Sequence, residues 1–304
     1  MSFSSRVKDE ISKTEILKTE SISELSAIVR NNAKITNEID LSFENAAITK
    51  RIYLLFKEVC LAHAIIIPIE SKTHHQKHIY QIIINKEVEK VLDILGIKKE
   101  NKNIVVAPPT YLISDEDEKK AYLRGVFLAT GSISDPKTSN YHLEFMITDL
   151  KHAKTISKLL NDFYLNSKIL ERDNGYMIYL KEAEQISDFL RIIGASSAVL
   201  YFEDIRIYRD HKNMTNRFNN CEQANVNKTI SAAKEQLEDI IVLENRIGLD
   251  LLKKPLQEAA FLRKKYPEAS LKELSYLSEN GISKSGLNHR FRKIKELAQN
   301  KTEN

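Results

Sequence analysis

Cysteine is scarce: Cys60 and Cys221 are the only two in 304 residues. That excludes a disulfide scaffold or a zinc framework, and both are expected to be small buried residues, the common state of a free cysteine. No apolar run approaches the roughly 20 residues of a membrane span. The longest, Ala64 to Ile69, has the length of a buried strand. The opening MSFSSRVKDEISK mixes charges of both signs and lacks the apolar core of a secretion signal, so a cytoplasmic chain without a membrane partner is expected. Also missing are a P-loop, a G-x-G-x-x-G and a G-x-S-x-G in a strand–turn–helix context. Without these, nucleotide hydrolysis, dinucleotide redox chemistry and serine hydrolysis lose their usual footing, and no cofactor is expected.

The composition itself is ordinary for a globular chain, 42% hydrophobic and 29% charged, with length for two to three domains. Charge is unevenly spread. Residues 253–304 hold 12 Lys/Arg against 6 Asp/Glu, whereas the rest of the chain holds 34 against 36. A basic C-terminal piece on a nearly neutral chain points to a polyanionic partner there.

The first 210 residues contain a diverged duplication. Glu24 to Ala33 and Tyr122 to Gly131 are apolar helices with small residues at matched positions. Behind the first come strand-like Lys34 to Phe43, helical Asn45 to Leu61, and the strand pair Ala64 to Ile69 with Ile79 to Ile84. Behind the second come Tyr141 to Ile147, Leu150 to Tyr164, and Ser167 to Arg172 with Tyr176 to Lys181. The turn of that last pair, Arg172-Asp173-Asn174-Gly175, carries the Asn-Gly favoured in hairpins. Each copy closes on a helix stopped by glycine, Gly96 or Gly194. The order is αββαββα, twice. Gly125 and Ala129 share one helix face, with Ser26 and Arg30 as the looser counterpart in the first copy; such stripes let two lead helices pack backbone to backbone. Ser114 is read as the N-cap of the second lead helix, with Asp117 near its third position.

Beyond Arg209 the strand alternation stops. Arg217 to Thr229 is polar and Asn-rich, read as an ordered linker running into the helical stretch Ile230 to Glu244. Three short helices follow. Pro255 suits a first helical turn, Pro267 breaks that helix, and Ser270 with Glu273 forms a capping box on Leu271 to Leu277. Ser278-Glu279-Asn280-Gly281 makes the turn, and Ser283 caps Lys284 to Leu297, whose inner stripe is Leu287, Phe291 and Ile294. This is helix-turn-helix architecture, in which the last helix enters the major groove N-terminus first. Lys284, Ser285, Asn288 and His289 are the candidate base readers. Arg290, Arg292 and Lys293 are candidate phosphate contacts, and Ser270, Lys272 and Ser283 complete the expected DNA-binding set.

Leu123 to Gly131, with its Gly125-Val126-Phe127 core, resembles the LAGLIDADG motif of DNA-cleaving homing endonucleases. In that family the penultimate residue of each copy is a metal-holding carboxylate. Here those positions hold Asn32 and Thr130, two neutral groups, so no catalytic residue, no metal site and no nuclease activity are expected. His74-His75-x-x-His78 has no Cys or carboxylate to complete a zinc site and is expected to be a solvated, weakly basic loop, with phosphate contact as the alternative.

Over nearly its whole length the chain resembles the WhiA family of Gram-positive bacteria. The resemblance rests on Met1-Ser2-Phe3, Tyr122 to Gly131, Ser139 to Glu144 and Tyr179 to Glu184, then on Asn220-Cys221, Ala224-Asn225, Asn227 to Thr229, Ser270 to Leu274, Ile282 to Gly286 and Asn288 to Arg290. It implies an α+β fold: a duplicated, pseudo-two-fold, degenerate LAGLIDADG domain (repeats at 1–98 and 99–212), a linker and helix at 213–250, and an all-α helix-turn-helix domain at 251–304 resembling region 4 of sigma factors. It further implies a non-enzymatic, nucleoid-associated regulator that binds double-stranded DNA near promoters. Its roles would lie in cell division and chromosome segregation, with sporulation control in sporulating lineages. RNA polymerase, a sigma factor or division proteins are the partners it suggests. An active endonuclease and a protein-interaction scaffold are the alternatives.

Overall fold

The computed structural model describes residues 1–15, 17–70, 78–97, 99–100, 103–104, 107–138 and 140–299. Two compact units follow one another along the chain, Met1–Arg209 and Asp210–Asn304.

The N-terminal unit opens with α1 (Phe3–Ile11), a helix not among the elements read from the sequence, although its buried residues Phe3, Val7 and Ile11 lie four apart. The first copy is then α2 (Lys18–Asn32), β1 (Lys34–Ile35), β2 (Ile39–Phe43), α3 (Ala46–Val59), β3 (Ile65–Glu70), β4 (His78–Ile84) and α4 (Val88–Ile94). A two-residue ladder, β5 (Lys99–Glu100) and β6 (Asn103–Ile104), leads to the second copy. This comprises α5 (Glu116–Thr130), β7 (Gly131–Ile133), β8 (Leu143–Ile147), α6 (Leu150–Asp162), β9 (Lys168–Arg172), β10 (Gly175–Leu180) and α7 (Ala183–Ile192). The αββαββα order is present in both.

The two sheets are topological copies, β1-β2-β4-β3 and β7-β8-β10-β9, antiparallel throughout. Strands β2 and β8 share one alternation of buried and open residues, so Leu41 pairs with Ile82 as Phe145 pairs with Ile178 on the core side. Period-two alternation then turns Ile65, Ile67, Ile69 and Ile83 of the first sheet to the opposite face. Gly96 and Gly194 close α4 and α7 at φ 63° and 82°, left-handed values that favour glycine. The β9–β10 hairpin turns on Asp173-Asn174, with Gly175 already in the strand.

Helices α2 and α5 form the seam between the copies. A methyl group on Gly125 would overlap the Glu24 carbonyl oxygen and lie 2.8 Å from the Ala27 Cβ. Gly125 and Ala27 are equivalent positions of the repeat, so the closest approach is a pseudo-two-fold contact of small residues. The expected counterpart face of the first copy is therefore displaced by one residue. Ser26 instead donates to the Leu95 carbonyl at 2.7 Å, and Arg30 donates to the Gly96 carbonyl at 2.6 Å, because both turn toward the end of α4. Gly125→Ala should gain about 1 kcal/mol of helix propensity and lose about 2–3 kcal/mol to overpacking. The expected result is a melting temperature lower by a few degrees; an unchanged or higher one would mean that the helices are free to separate.

The N-cap of α5 is Asp115, not Ser114. Asp115 Oδ1 accepts from the Glu118 N–H at 2.8 Å, and Ser114 instead donates its hydroxyl to Glu118 Oε2 at 2.7 Å. Cys60 is buried as expected, but Cys221 is exposed, for a reason that lies in the next helix.

That helix, α8 (Ser196–Ile247), is continuous for 52 residues. The expected linker at Arg217 to Thr229 is thus part of a helix. Asparagine and threonine are poor helix formers, but neither breaks a helix as proline or glycine does, and neither breaker occurs between Gly194 and Gly248. Residues 210 to 228 are exposed all round, Cys221 among them. The end of α8 is different: Ile240 and Leu243 are buried in the core of the C-terminal unit with Ala259, Ala260, Leu274, Leu287, Phe291 and Ile294. After a 3-10 turn (Leu249–Leu251) come α9 (Lys254–Lys265), α10 (Leu271–Leu277) and α11 (Lys284–Gln299).

Candidate nucleic-acid interface

In α10 and α11 the capping residues set the turn. Ser270 accepts from the Glu273 N–H while Glu273 accepts from the Ser270 N–H at 2.7 Å, the capping box read from the sequence. Ser275 donates to the Ile282 carbonyl at 2.7 Å, and Gly281 takes φ 61° between the helices. The Ser283 hydroxyl accepts from the Gly286 N–H at 3.1 Å and lies 3.0 Å from the Ser285 hydroxyl. The hydroxyls of Ser270, Ser283 and Ser285 therefore shape the turn that presents α11.

Leu287, Phe291 and Ile294 are buried at helical spacing, which turns Lys284, Ser285, Asn288, His289, Arg292 and Lys293 outward, all exposed. Among the described residues the side chains of Lys272, Lys284, Asn288 and His289 have no hydrogen-bond partner within the chain. Arg290 differs: its guanidinium donates to Glu258 Oε2 and to the Pro255 carbonyl, both at 3.1 Å, and is mostly covered. It ties α11 to α9. Lys293 is paired with Glu296 at 2.8 Å, and Arg292 lies 3.9 Å from the same carboxylate; both pairs are exposed and weak. The lysine pairing holds the Glu296 carboxyl below its ordinary range.

Sequence reading missed Arg263. Although buried, it donates to Gln236 Oε1 at 3.1 and 2.9 Å and to the carbonyls of Tyr266, Pro267 and Ala269. Burial lowers its pKa, but those acceptors keep the cation satisfied. Through Gln236 it fixes α8 against the helix-turn-helix. Lys264 to Glu244 at 2.6 Å and Lys295 to Glu235 at 3.1 Å add two outer ties between the same elements. An arginine in a basic stretch looks solvent-facing in sequence, and only the fold reveals its burial.

Asn32 and Thr130, the positions read against the carboxylates of the LAGLIDADG motif, end the lead helices of the N-terminal unit. Thr130 donates its hydroxyl to the Val126 carbonyl at 3.2 Å, and Asn32 Oδ1 accepts from the Ser42 N–H at 3.3 Å. Both are neutral and engaged with backbone, so this donor set does not fit a hard divalent cation. Two residues before Thr130, the Leu128 carbonyl accepts from Lys8 Nζ at 3.2 Å. Lys8 is largely buried, which pushes its pKa down to about 8. Among the described residues no group of three or more His, Cys, Asp or Glu could hold a metal ion, and no helix is long and apolar enough to cross a membrane. His74 and His75 lie outside the described residues; His78 opens β4.

Three family models match in order: "WhiA N-terminal LAGLIDADG-like domain" over residues 18–98, "WhiA LAGLIDADG-like domain" over 119–212 and "WhiA C-terminal HTH domain" over 215–298. A relative from Halalkalibacterium halodurans is 44% identical over 306 residues, covering 98% of this chain and 96% of its own. One from Staphylococcus haemolyticus is 43% identical over 304 residues with the same coverage. Both are called probable cell division protein WhiA. Among solved structures, full-length DUF199/WhiA from Thermatoga maritima shares the fold over 98% of both chains, with a TM-score of 0.60 at 24% identity. The N-terminal LAGLIDADG domain of DUF199/WhiA matches 64% of this chain and 92% of its own, with a TM-score of 0.51 at 25% identity. A doubled α+β scaffold, a helix-turn-helix unit built onto a long helix, and relatives alike from end to end lead to one assignment: the chain belongs to the WhiA family.

Proposed function

We propose that this protein is a non-enzymatic, DNA-binding regulator acting in cell division, and that it reads double-stranded DNA through α11. The observation that carries the reading is the outer face of α11. Lys284, Asn288 and His289 stand exposed at the N-terminal end of the helix, the end that a recognition helix puts against base edges. The capped turn from Ser270 to Ser283 holds them in place, and Lys272 adds a cation on the neighbouring helix. Arg292 and Lys293 serve as phosphate contacts, held only by weak pairs that phosphates can displace. Arg290 belongs to the scaffold of the helix-turn-helix.

For the N-terminal unit, Asn32 and Thr130 argue against phosphodiester cleavage, since neither neutralises a divalent cation beside a phosphate. On the face of the first sheet opposite its core, the edge strand β3 presents Ile65, Ile67 and Ile69, each about 40% exposed or more, an apolar row that suits a protein partner better than a phosphate backbone. Division or transcription proteins are the partner class this reading favours. Sporulation control and chromosome segregation are extensions of the same regulatory role.

The test begins with chromatin immunoprecipitation to obtain a target. Titration of that target and of mixed-sequence duplex with the full chain follows. Asn288→Ala and His289→Ala should weaken target binding by about 1–3 kcal/mol each and change the preferred base at one position. Equal loss on every sequence would reassign them to the backbone. Incubation with Mg²⁺ should leave the duplex intact, and metal-dependent cuts would restore the endonuclease reading.

A further inference from the structure

The Asn-rich stretch singled out in the sequence has no role in the core. On α8, Cys221, Asn225, Lys228 and Ala232 recur at intervals of four, three and four, which puts them along one side of the helix. Further along that side, Gln236 receives Arg263 and Leu243 enters the core of the C-terminal unit. The side of α8 that packs against the helix-turn-helix at one end thus continues at the other as an exposed polar stripe.

Where packing gives way to exposure there is a cleft of about 230 Å³. Lys228, Thr229, Ala232 and Gln236 of α8 form one wall, Ser270, Leu271, Lys272 and Lys284 the other, and Arg263 lies behind them. Lys228, Lys272 and Lys284 come from three different helices and have no ion-pair partner among the described residues. The carboxylate nearest in sequence, Glu273, is committed to the Ser270 N–H. Three unpaired ammonium groups around one cleft repel one another, and an anion placed between them relieves that repulsion.

We propose that this cleft seats a DNA backbone phosphate, with Lys228 as a direct ligand, so that α8 is part of the DNA interface. Lys284 marks the start of α11, so the seated phosphate borders the bases that helix reads. Thr229 already donates its hydroxyl to the Asn225 carbonyl at 2.9 Å and contributes shape rather than a proton. Asn225 and Cys221 continue the stripe over roughly 10 Å, one helix side along which a strand of DNA runs past the helix-turn-helix. The ties of α8 through Gln236, Glu244 and Glu235 hold Lys228 in register with α11 before DNA arrives, which limits the ordering cost of the contact.

This inference rests on α11 being the DNA reader, and the experiment separates the two. The full chain is titrated with a mixed-sequence duplex across a salt series, because a phosphate contact is sequence-independent. Lys228→Gln should weaken binding about 3- to 10-fold at low salt and reduce the slope of log K against log salt by about 0.9, the signature of one lost phosphate. Lys234→Gln removes the same charge from the same helix outside the cleft and should leave the slope unchanged. If Lys228→Gln behaves like Lys234→Gln while Arg292→Gln still weakens binding, the cleft is not a phosphate seat and the α11 reading stands. If the unaltered chain binds no duplex at any salt concentration, both ideas fall together.

Discussion

Glu24→Gln is expected to destabilise the N-terminal unit by about 3–5 kcal/mol, the usual loss when one member of a buried ion pair is removed. Glu24 is fully buried in the middle of α2. Arg51 of α3 donates to it from Nε and, at 2.9 Å, from Nη2, and Arg124 of α5 donates from Nη1 at 3.3 Å. Both guanidiniums are themselves almost wholly covered. Arg51 also reaches the carbonyls of Ser12 and Thr14 behind α1, and Arg124 reaches the Ile193 carbonyl at the end of α7. Glu24 therefore bridges two cations that anchor four helices from both copies of the repeat. Glutamine keeps the shape and removes the charge, leaving only Glu20, 3.7 Å from Arg124, to answer two arginines. Urea unfolding measures the loss. A change under 1 kcal/mol would mean that water reaches the network, whereas partial recovery in the Glu24→Gln, Arg124→Gln double variant would isolate the charge imbalance from the packing.

Acid should weaken the same unit through His152. Its ring is fully buried, Nε2 lies 2.8 Å from the Tyr122 hydroxyl, and Nδ1 has no hydrogen-bond partner among the described residues. Burial, and secondarily the Arg30 cation, pushes its pKa down from 6.5 to about 4. Burial likewise drives the Tyr122 hydroxyl well above its ordinary value, so the pair stays neutral near pH 7. The unfolded chain takes up a proton below about pH 6.5 that the folded chain refuses until about pH 4. Stability linked to this group is therefore present above pH 6.5 and is lost as the pH falls to 4, by about 3 kcal/mol. The sharper readout is a difference. The stability gap between the unaltered protein and His152→Gln should shrink by about that amount from pH 7 to pH 4. A gap constant across that range would sink the assignment of the titration to His152.

The elements legible in the sequence are those with local causes. Alternation gave the paired strands, and glycines at 96 and 194 marked where α4 and α7 stop. The Ser270–Glu273 box and the Leu287, Phe291, Ile294 stripe announced α10 and α11. Elements with weak local signals were missed or misread. Helix α1 has only three apolar anchors, β7 only three residues, and the middle of α8 has asparagines whose preference for turns was outweighed by the absence of any breaker.

By itself the sequence determined the doubling of the N-terminal scaffold, the neutral residues Asn32 and Thr130 at the ends of its lead helices and the presence of a helix-turn-helix, because hydrophobic period, capping chemistry and residue type are properties of neighbours along the chain. Tertiary structure alone decided which groups meet. Glu24 finds Arg124 a hundred positions away. Gly125 faces Ala27 rather than the Ser26 and Arg30 face. Arg290 and Arg263 turn inward to carbonyls and side-chain oxygens while Lys284 stays in solvent. A charge in a sequence is the same letter whether it is paired, buried or free; the packing of distant helices settles which, and here it leaves Lys228, Lys272 and Lys284 unpaired around one cleft.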